Sequence, residues 1–492
     1  MAADLAGWVD RWADHRRDSL AIEFEGRTTS YGQLAERIGE AAAWLADLGI
    51  AHGDRVAYLG PNRPEAIELV LACSWLGAIY LPLNSRLAPA EHDWILADAE
   101  PAIVVEDPTF TEHLDSLSLL CPRAVLTADQ HDYRTDPNPT PPPRIGTSSD
   151  PVLLAYTSGT TGRPKGALLD QRALLTNAVN GAHAHDLTSA DRVLTLLPLF
   201  HVGGLNIQTL PTLHAGGAVL LHRAFDPGLW LEDVERWQPT LSLLVPATLL
   251  AVSSHPRFEA TDLGALRGLM TGSSTVPEAI LRPFLDRGIP VGQIYGSTET
   301  APTALYLRFE DSFDHPRSCG KPATHCEIRI VGPDGIDVPA GQGGELWVKG
   351  ENILREYWRN PEATAEAIVD GWFRTGDIGH VEDEFFHIDD RSKDVIISGG
   401  ENVYPAELEN VLADYDQLAE AAVIGQPDEL WGEVPLVVAV AAPGATRDDQ
   451  AVFDLFNGRL ARFKHPKGIR WVDSLPHNAM GKVQKHILRA QL

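Results

Sequence analysis

The sequence predicts an α/β protein with a large N-terminal part of several subdomains and a small α+β C-terminal part. Three observations carry this expectation. At 492 residues the chain exceeds what one hydrophobic core serves. Helical and strand patterns alternate from Leu5 to about Leu126, which is α/β layering. The end of the chain alternates shorter strands and helices, with Glu407 to Leu412 helical and Ala421 to Ile424 and Val437 to Val440 extended.

Composition narrows the class. Hydrophobic residues at 44% and charged residues at 22% are the balance of an ordinary globular protein. With 40 Lys+Arg against 68 Asp+Glu the formal charge is -28, which argues against nucleic acid or anionic lipid as the main partner. Any anionic ligand must therefore meet a local basic patch. Cys73, Cys121, Cys319 and Cys326 lack CxxC or zinc-type spacing, as expected of reduced thiols in a cytoplasmic protein. Met1 to Asp4 places an acid where an export signal wants a base, and no apolar region follows. Val193 to His222 contains no Asp, Glu, Lys or Arg, yet Pro198, Gly203, Gly204, Pro211, Gly216 and Gly217 break it into short buried elements. No transmembrane segment is expected.

Taken in order, Tyr31 to Leu48 reads as an amphipathic helix, Arg55 to Leu59 as a strand, and Ala66 to Leu76 as a buried helix. Ala78 to Leu81 reads as a strand closed by Pro82. Asp129 to Asp150, with Pro137, Pro139 and Pro141 to Pro143, reads as a linker. Val152 to Ala155 and Ala167 to Leu169 then flank the loop Tyr156-Thr-Ser-Gly-Thr-Thr-Gly-Arg-Pro-Lys-Gly166, so the loop joins two strands of a hairpin. Its glycines permit close backbone approach, and its hydroxyls, N–H groups and Lys165 make a receptor for phosphate oxygens. It is not a Walker A loop, because Pro164 and Gly166 stand where that motif needs Gly and Ser or Thr.

Gln171 to Ala184 reads as a helix, and Val193 to Leu197 leads into Pro198-Leu-Phe-His-Val-Gly-Gly204. Leu263 to Met270 leads into Thr271-Gly-Ser-Ser274, and Val291 to Ile294 into Tyr295-Gly-Ser-Thr-Glu299. Both look like strand ends delivering polar turns, where open α/β sheets bind ligands. Gly343 to Val348 reads as a strand entry and is followed by Trp372-Phe-Arg-Thr-Gly-Asp377, whose acid suits a turn. Phe463-Lys-His-Pro-Lys467 is a basic cluster in an acidic chain, and Gly481-Lys482 lies near the end.

The loop string, Tyr295 to Glu299, Trp372 to Asp377, Asp390 to Asn402 and Gly481-Lys482, in that order, resemble the motifs of the AMP-forming adenylating superfamily, which includes acyl-CoA synthetases and aryl-CoA ligases. The resemblance implies an adenylating domain over residues 1–390 and a mobile domain over 391–492, turning at the hinge Lys393. It implies that Thr157, Ser158, Gly159, Thr160, Thr161 and Lys165 hold phosphates, with Gly272, Ser273 and Ser274 at the nucleotide. By the same match Tyr295 stacks on adenine, Thr298 contacts the α-phosphate, Glu299 holds Mg²⁺, and Asp377 and Arg391 contact ribose. His201 would lie beside the carboxylate, with Gly203 and Gly204 leaving room for the acyl group. Lys482 would bridge carboxylate and α-phosphate. Gly399 and Gly400 would line a thiol tunnel, and Trp431, Phe463, Lys464 and Lys467 would hold the nucleotide end of CoA.

The implied activity is that of an acid–CoA ligase using ATP, Mg²⁺ and coenzyme A. The acid would be a fatty or aromatic, hydroxycinnamic monocarboxylic acid, since no Lys or Arg between Val193 and His222 is present to pair a second carboxylate. A peptide-synthetase adenylation domain is disfavoured, because Phe200 to Gly204 lacks the Asp that would pair an α-amino group. Transfer to a carrier-protein thiol and a catalytically silent nucleotide-binding homologue are the alternatives. The oligomeric state is not fixed by the sequence, and a homodimer is compatible with it. Two departures from the family pattern, Glu384 and Asp390 where glycines are usual, leave the local turn geometry open.

Overall fold

The computed structural model describes residues 4–126, 140–157, 164–272, 276–391, 394–398, 401–428, 431–457, 459–460, 462–478 and 481–491. Among the described residues, two large sheets form the N-terminal part. A nine-stranded sheet runs in the order Lys321–Pro322, Leu305–Leu307, Val291–Tyr295, Gly268–Gly272, Leu241–Leu243, Arg192–Thr195, Ala218–Leu221, Leu20–Phe24 and Arg27–Ser30. A seven-stranded sheet runs Glu356–Tyr357, Lys165–Asp170, Pro151–Thr157, Ile79–Leu83, Arg55–Leu59, Ile103–Glu106 and Arg123–Val125. A third sheet, built on Cys326–Val331, Gly344–Gly350 and Trp372–Glu382, ends with Phe385–Arg391.

Local chemistry accounts for these elements. Helix Tyr31–Asp47 starts with a reciprocal capping box between Ser30 and Gln33, and buries Leu34, Ile38, Ala41, Ala42 and Leu45 on its apolar stripe. Helix Pro64–Leu76 opens with proline in its first turn, where the missing N–H costs nothing, and is buried along almost its whole length. The hairpin flanking the loop Tyr156 to Gly166 forms as expected, with Leu154 opposite Leu168 and Ala155 opposite Ala167.

Three boundaries differ from expectation. Pro82 does not close its strand but lies within Ile79–Leu83, opposite Tyr58. On the other side this strand registers with its neighbour only at Tyr80, opposite Leu153, so the absent N–H interrupts no ladder there. The strand expected from Leu263 begins at Gly268, because Leu263 and Leu266 are buried in the preceding turn instead. The second half of the proline-rich segment is docked. Trp75 donates its indole N–H to the Pro142 carbonyl at 2.9 Å, and the Arg144 guanidinium lies 3.9 Å from the Trp75 ring centroid.

The C-terminal part has a sheet of Glu401–Val403, Ile396–Ser398, Gly432–Ala441 and Leu418–Asp428, with Gly468–Trp471 parallel to Gly432–Ala441. Its own apolar cluster includes Ile396, Leu408, Val423, Val437 and Phe456. A small core of this kind lets it pack as a unit.

Candidate active site

The parallel strands Arg192–Thr195, Leu241–Leu243, Gly268–Gly272 and Val291–Tyr295 end on the same side of the nine-stranded sheet. The polar turns after the last two therefore meet in one crevice. A Cβ at Gly296 would stand 1.6 Å from the Pro302 carbonyl oxygen, so no other residue fits between Tyr295 and Ser297. The chain then tightens into a short helical turn, Thr298–Thr300, that buries Thr298 and presents Glu299.

Glu299 meets the edge strand of the seven-stranded sheet. The Tyr357 hydroxyl donates to Glu299 Oε1 at 2.9 Å, and the Leu354 N–H donates to the Glu299 carbonyl at 2.7 Å. Tyr357 belongs to the edge strand of the other sheet, opposite Ala167 in the phosphate-loop hairpin. The Lys165 ammonium lies 5.2 Å from the Tyr357 ring centroid, and Lys165 sits opposite Thr157 where the hairpin enters its loop. One phenol thus touches both Lys165 and Glu299, and sequence reasoning missed it. Its only local signal is an aromatic pair, Tyr357-Trp358, shortly before the helix cap Asn360.

Tyr295 and Asp377 also meet, through a 2.8 Å hydrogen bond from the phenol to Asp377 Oδ2. Burial, and then the Asp377 charge, hold the Tyr295 phenol well above its ordinary pKa, so it remains a donor. Asp377 is not a turn acid: it lies within strand Trp372–Glu382, opposite Arg391. Register alone therefore brings Asp377 beside Arg391. The turn beyond resolves one departure, because Glu384 adopts φ 69, the left-handed conformation that favours glycine, and pairs with Lys321 at 3.1 Å.

His201 caps the helical run that follows Phe200, and its Nδ1 accepts the Gly203 N–H at 2.9 Å. Desolvation lowers its pKa to about 4, so the ring is neutral near pH 7 and carries its proton on Nε2. The two glycines behind it differ. A Cβ at Gly203 would meet only the His201 ring, whereas one at Gly204 would stand 2.3 Å from the Pro198 carbonyl oxygen. At Gly203 a side chain would press on the His201 ring, and at Gly204 it would strike the backbone itself, so Gly204 is required by backbone packing whatever else it does.

In the C-terminal part, Lys482 is exposed in a tight turn, where its N–H donates to Asn478 Oδ1 at 2.9 Å and its carbonyl accepts the Asn478 N–H at 2.8 Å. A Cβ at Gly481 would lie 3.6 Å from Ala247 Cβ, so this turn rests against the N-terminal part. Lys464 is held by both oxygens of Glu407 at 2.6 and 2.9 Å, while Lys467 and Trp431 are exposed. Ser158, Gly159, Thr160, Thr161, Ser273, Ser274, Lys393, Gly399 and Gly400 lie outside the described residues, as do the side chains of Arg391 and Phe463. Among the described residues no cluster of three or more His, Cys, Asp or Glu side chains forms a metal site.

Strand-end turns, a Gly- and Thr-flanked hairpin and the Gly481-Lys482 turn of the C-terminal part thus lie on one molecule. The AMP-binding enzyme family model matches residues 9–358 and the AMP-binding enzyme C-terminal domain matches residues 407–482, so the chain belongs to the AMP-binding enzyme family. It is 45% identical to an indoleacetate–CoA ligase of Aromatoleum aromaticum, covering 99% of this chain and 98% of that one. It is 42% identical to a feruloyl-CoA synthase of Amycolatopsis sp, with the same coverage of both. Among solved structures it is similar to ATP-bound MatB from Rhodopseudomonas palustris, with TM-score 0.90, 34% identity, and 99% of this chain and 98% of that one covered.

Proposed function

We propose that this AMP-binding enzyme is an AMP-forming acid–CoA ligase whose acid is an aromatic ring joined to a carboxyl by a short carbon chain. The observation that carries the reading is end-to-end identity of 45% and 42% to enzymes named for indoleacetate and for the feruloyl group. In the first half-reaction a carboxylate oxygen bonds the α-phosphorus of ATP, the bond to the bridging oxygen breaks, and pyrophosphate leaves. In the second, the CoA sulfur bonds the acyl carbon, the acyl–phosphate C–O bond breaks, AMP leaves and the thiol proton is released.

The carboxylate nucleophile is already ionised near neutral pH, so the first step needs alignment and charge compensation more than a base. In this reading Lys165 and the loop hydroxyls hold phosphate oxygens, Tyr295 and Asp377 place the nucleoside, and Lys482 bridges carboxylate and α-phosphate. His201 donates from Nε2 beside the carboxylate. Glu299 offers one hard carboxylate, oriented by Tyr357, which suits Mg²⁺ completed by phosphate oxygens and water. Bound there, Mg²⁺ would neutralise phosphate charge. Lys467 and Trp431 are assigned to CoA.

We place the division between the two parts at Arg391, where the third sheet ends. Among the described residues no helix is long and apolar enough to cross a membrane. Four free thiols support a reducing compartment such as the cytoplasm. The test is CoA-dependent AMP release over a panel of arylacetic, hydroxycinnamic and alkanoic acids. The reading stands if aryl acids have the highest kcat/KM and falls if alkanoic acids do.

A further inference from the structure

The helical run that starts at His201 is not uniform. It passes from an α-turn at Val202–Gly204 through a π-helical turn at Leu205–Thr209 into helix Leu210–Ala215. In the wide turn the Leu210 N–H reaches back to the Leu205 carbonyl. The sequence supplies the cause: Pro211 has no N–H to give the preceding turn, and its ring would crowd an α-helical carbonyl. Such turns insert an extra residue into a helix face and recur at functional sites.

That turn carries Gln208, which is 2% exposed and, among the described residues, has no hydrogen-bond partner for either Oε1 or Nε2. Gln208 borders a cavity of about 10 Å³ with Thr195, Gly204 and Leu243, room for one water-sized group. The neighbouring hydroxyls do not satisfy it: Thr195 meets Thr209 at 3.2 Å, and Thr209 donates to the Gly204 carbonyl at 2.6 Å. Asn206 on the same turn is also unmet but does not line the cavity. A buried carboxamide with both ends unmet is costly unless an arriving group meets it. Gln208 lies on the order of 10 Å beyond His201 along the same helical run, at ~1.5 Å per residue.

We propose that Gln208 is a specificity-determining residue that reads a hydrogen-bonding atom, a ring N–H or a phenolic O–H, on the aromatic end of the acid. This rests on the aromatic-acid reading above. A carboxamide both donates and accepts, so it matches either group. An acid with a bare ring edge leaves it unmet, and discrimination then arises by rejection.

The experiment compares matched acids in the full-length enzyme and in Gln208→Leu and Gln208→Met, the second keeping the side-chain length. One pair is indole-3-acetate and its N-methyl derivative; the other is 4-hydroxycinnamate and cinnamate. The wild-type kcat/KM ratio within at least one pair should favour the donor-bearing acid, and both variants should collapse that ratio by about 10- to 100-fold. The responding pair identifies the group being read. A ratio that survives in both variants, or equal use of both members of each pair by the wild type, overturns the proposal. Variants that change thermal stability but not the ratio mean that the cavity holds only a water, and this also overturns it. If alkanoic acids are used and no aryl acid is, the aromatic-acid reading fails and takes the proposal with it, a result distinct from aryl acids used without a Gln208 effect.

Discussion

The Tyr357 hydroxyl and the Glu299 carboxylate meet at 2.9 Å, although Tyr357 lies on the edge strand of the seven-stranded sheet and Glu299 in the helical turn that follows a strand of the nine-stranded one. A hydrogen bond to a charged acceptor contributes about 1.5–3 kcal/mol. Tyr357→Phe should therefore lower kcat/KM for ATP in pyrophosphate exchange by roughly 10- to 100-fold and raise the Mg²⁺ concentration needed for half activity. Wild-type Mg²⁺ dependence in the variant would refute the orienting role.

Lys482 belongs to the first half-reaction alone in the proposed mechanism. Lys482→Ala should abolish acyl-AMP formation to background and spare thioester formation from supplied acyl-AMP. Single-turnover assays of the two steps decide the matter, and equal loss in both rejects the assignment.

Lys464 and Lys467 should separate. The Lys467 charge is exposed, and its loss to Ala should raise KM for CoA by about 3- to 10-fold, as expected of one surface charge on a phosphate. Lys464→Ala leaves Glu407 without its bidentate partner and should lower the melting temperature more than Lys467→Ala does. Thermal melts and CoA saturation curves on both variants test this, and the assignment of Lys467 fails if its CoA curve is unchanged.

Acid should destabilise the fold through histidines. His92, His185, His201 and His214 each have pKa values lowered to about 4, chiefly by desolvation. The unfolded chain, with ordinary histidines near 6.5, binds more protons in this window, so stability is full above about pH 6.5 and is lost as pH falls toward 4. Each group contributes a slope of at most about 1.4 kcal/mol per pH unit. Urea melts at pH 7.5 and pH 5 should differ accordingly, and equal midpoints would exclude the effect.

Much of this was legible in the residues. The hairpin around the phosphate loop followed from two apolar runs, and the crevice from Tyr295-Gly-Ser-Thr-Glu299 at a strand end. Contacts between distant segments were not legible. Tyr357 carries no motif of its own and becomes significant only when sheet pairing sets it beside Ala167 and Glu299. The same holds for Glu407, which sits ordinarily in a helix yet takes up Lys464. Gly203 and Gly204 looked equivalent until the backbone around Pro198 distinguished them. The π-turn at Gln208 was hidden because Pro211 reads locally as a break rather than as a widened helix.

The edge strand Glu356–Tyr357 also bears on how the chain is made. The hairpin beside it is complete once Asp170 has been synthesised, but the strand that covers Lys165–Asp170 comes far later in the sequence. At 5–20 residues per second that edge stays uncovered on a ribosome for on the order of 10 s or more. A bare strand edge of this kind is a site where nascent chains pair wrongly. Truncations ending before Glu356 should therefore aggregate, whereas those ending after helix Pro361–Ala367 retain the cover; the smallest fragment worth expressing is set by Tyr357, not by the phosphate loop.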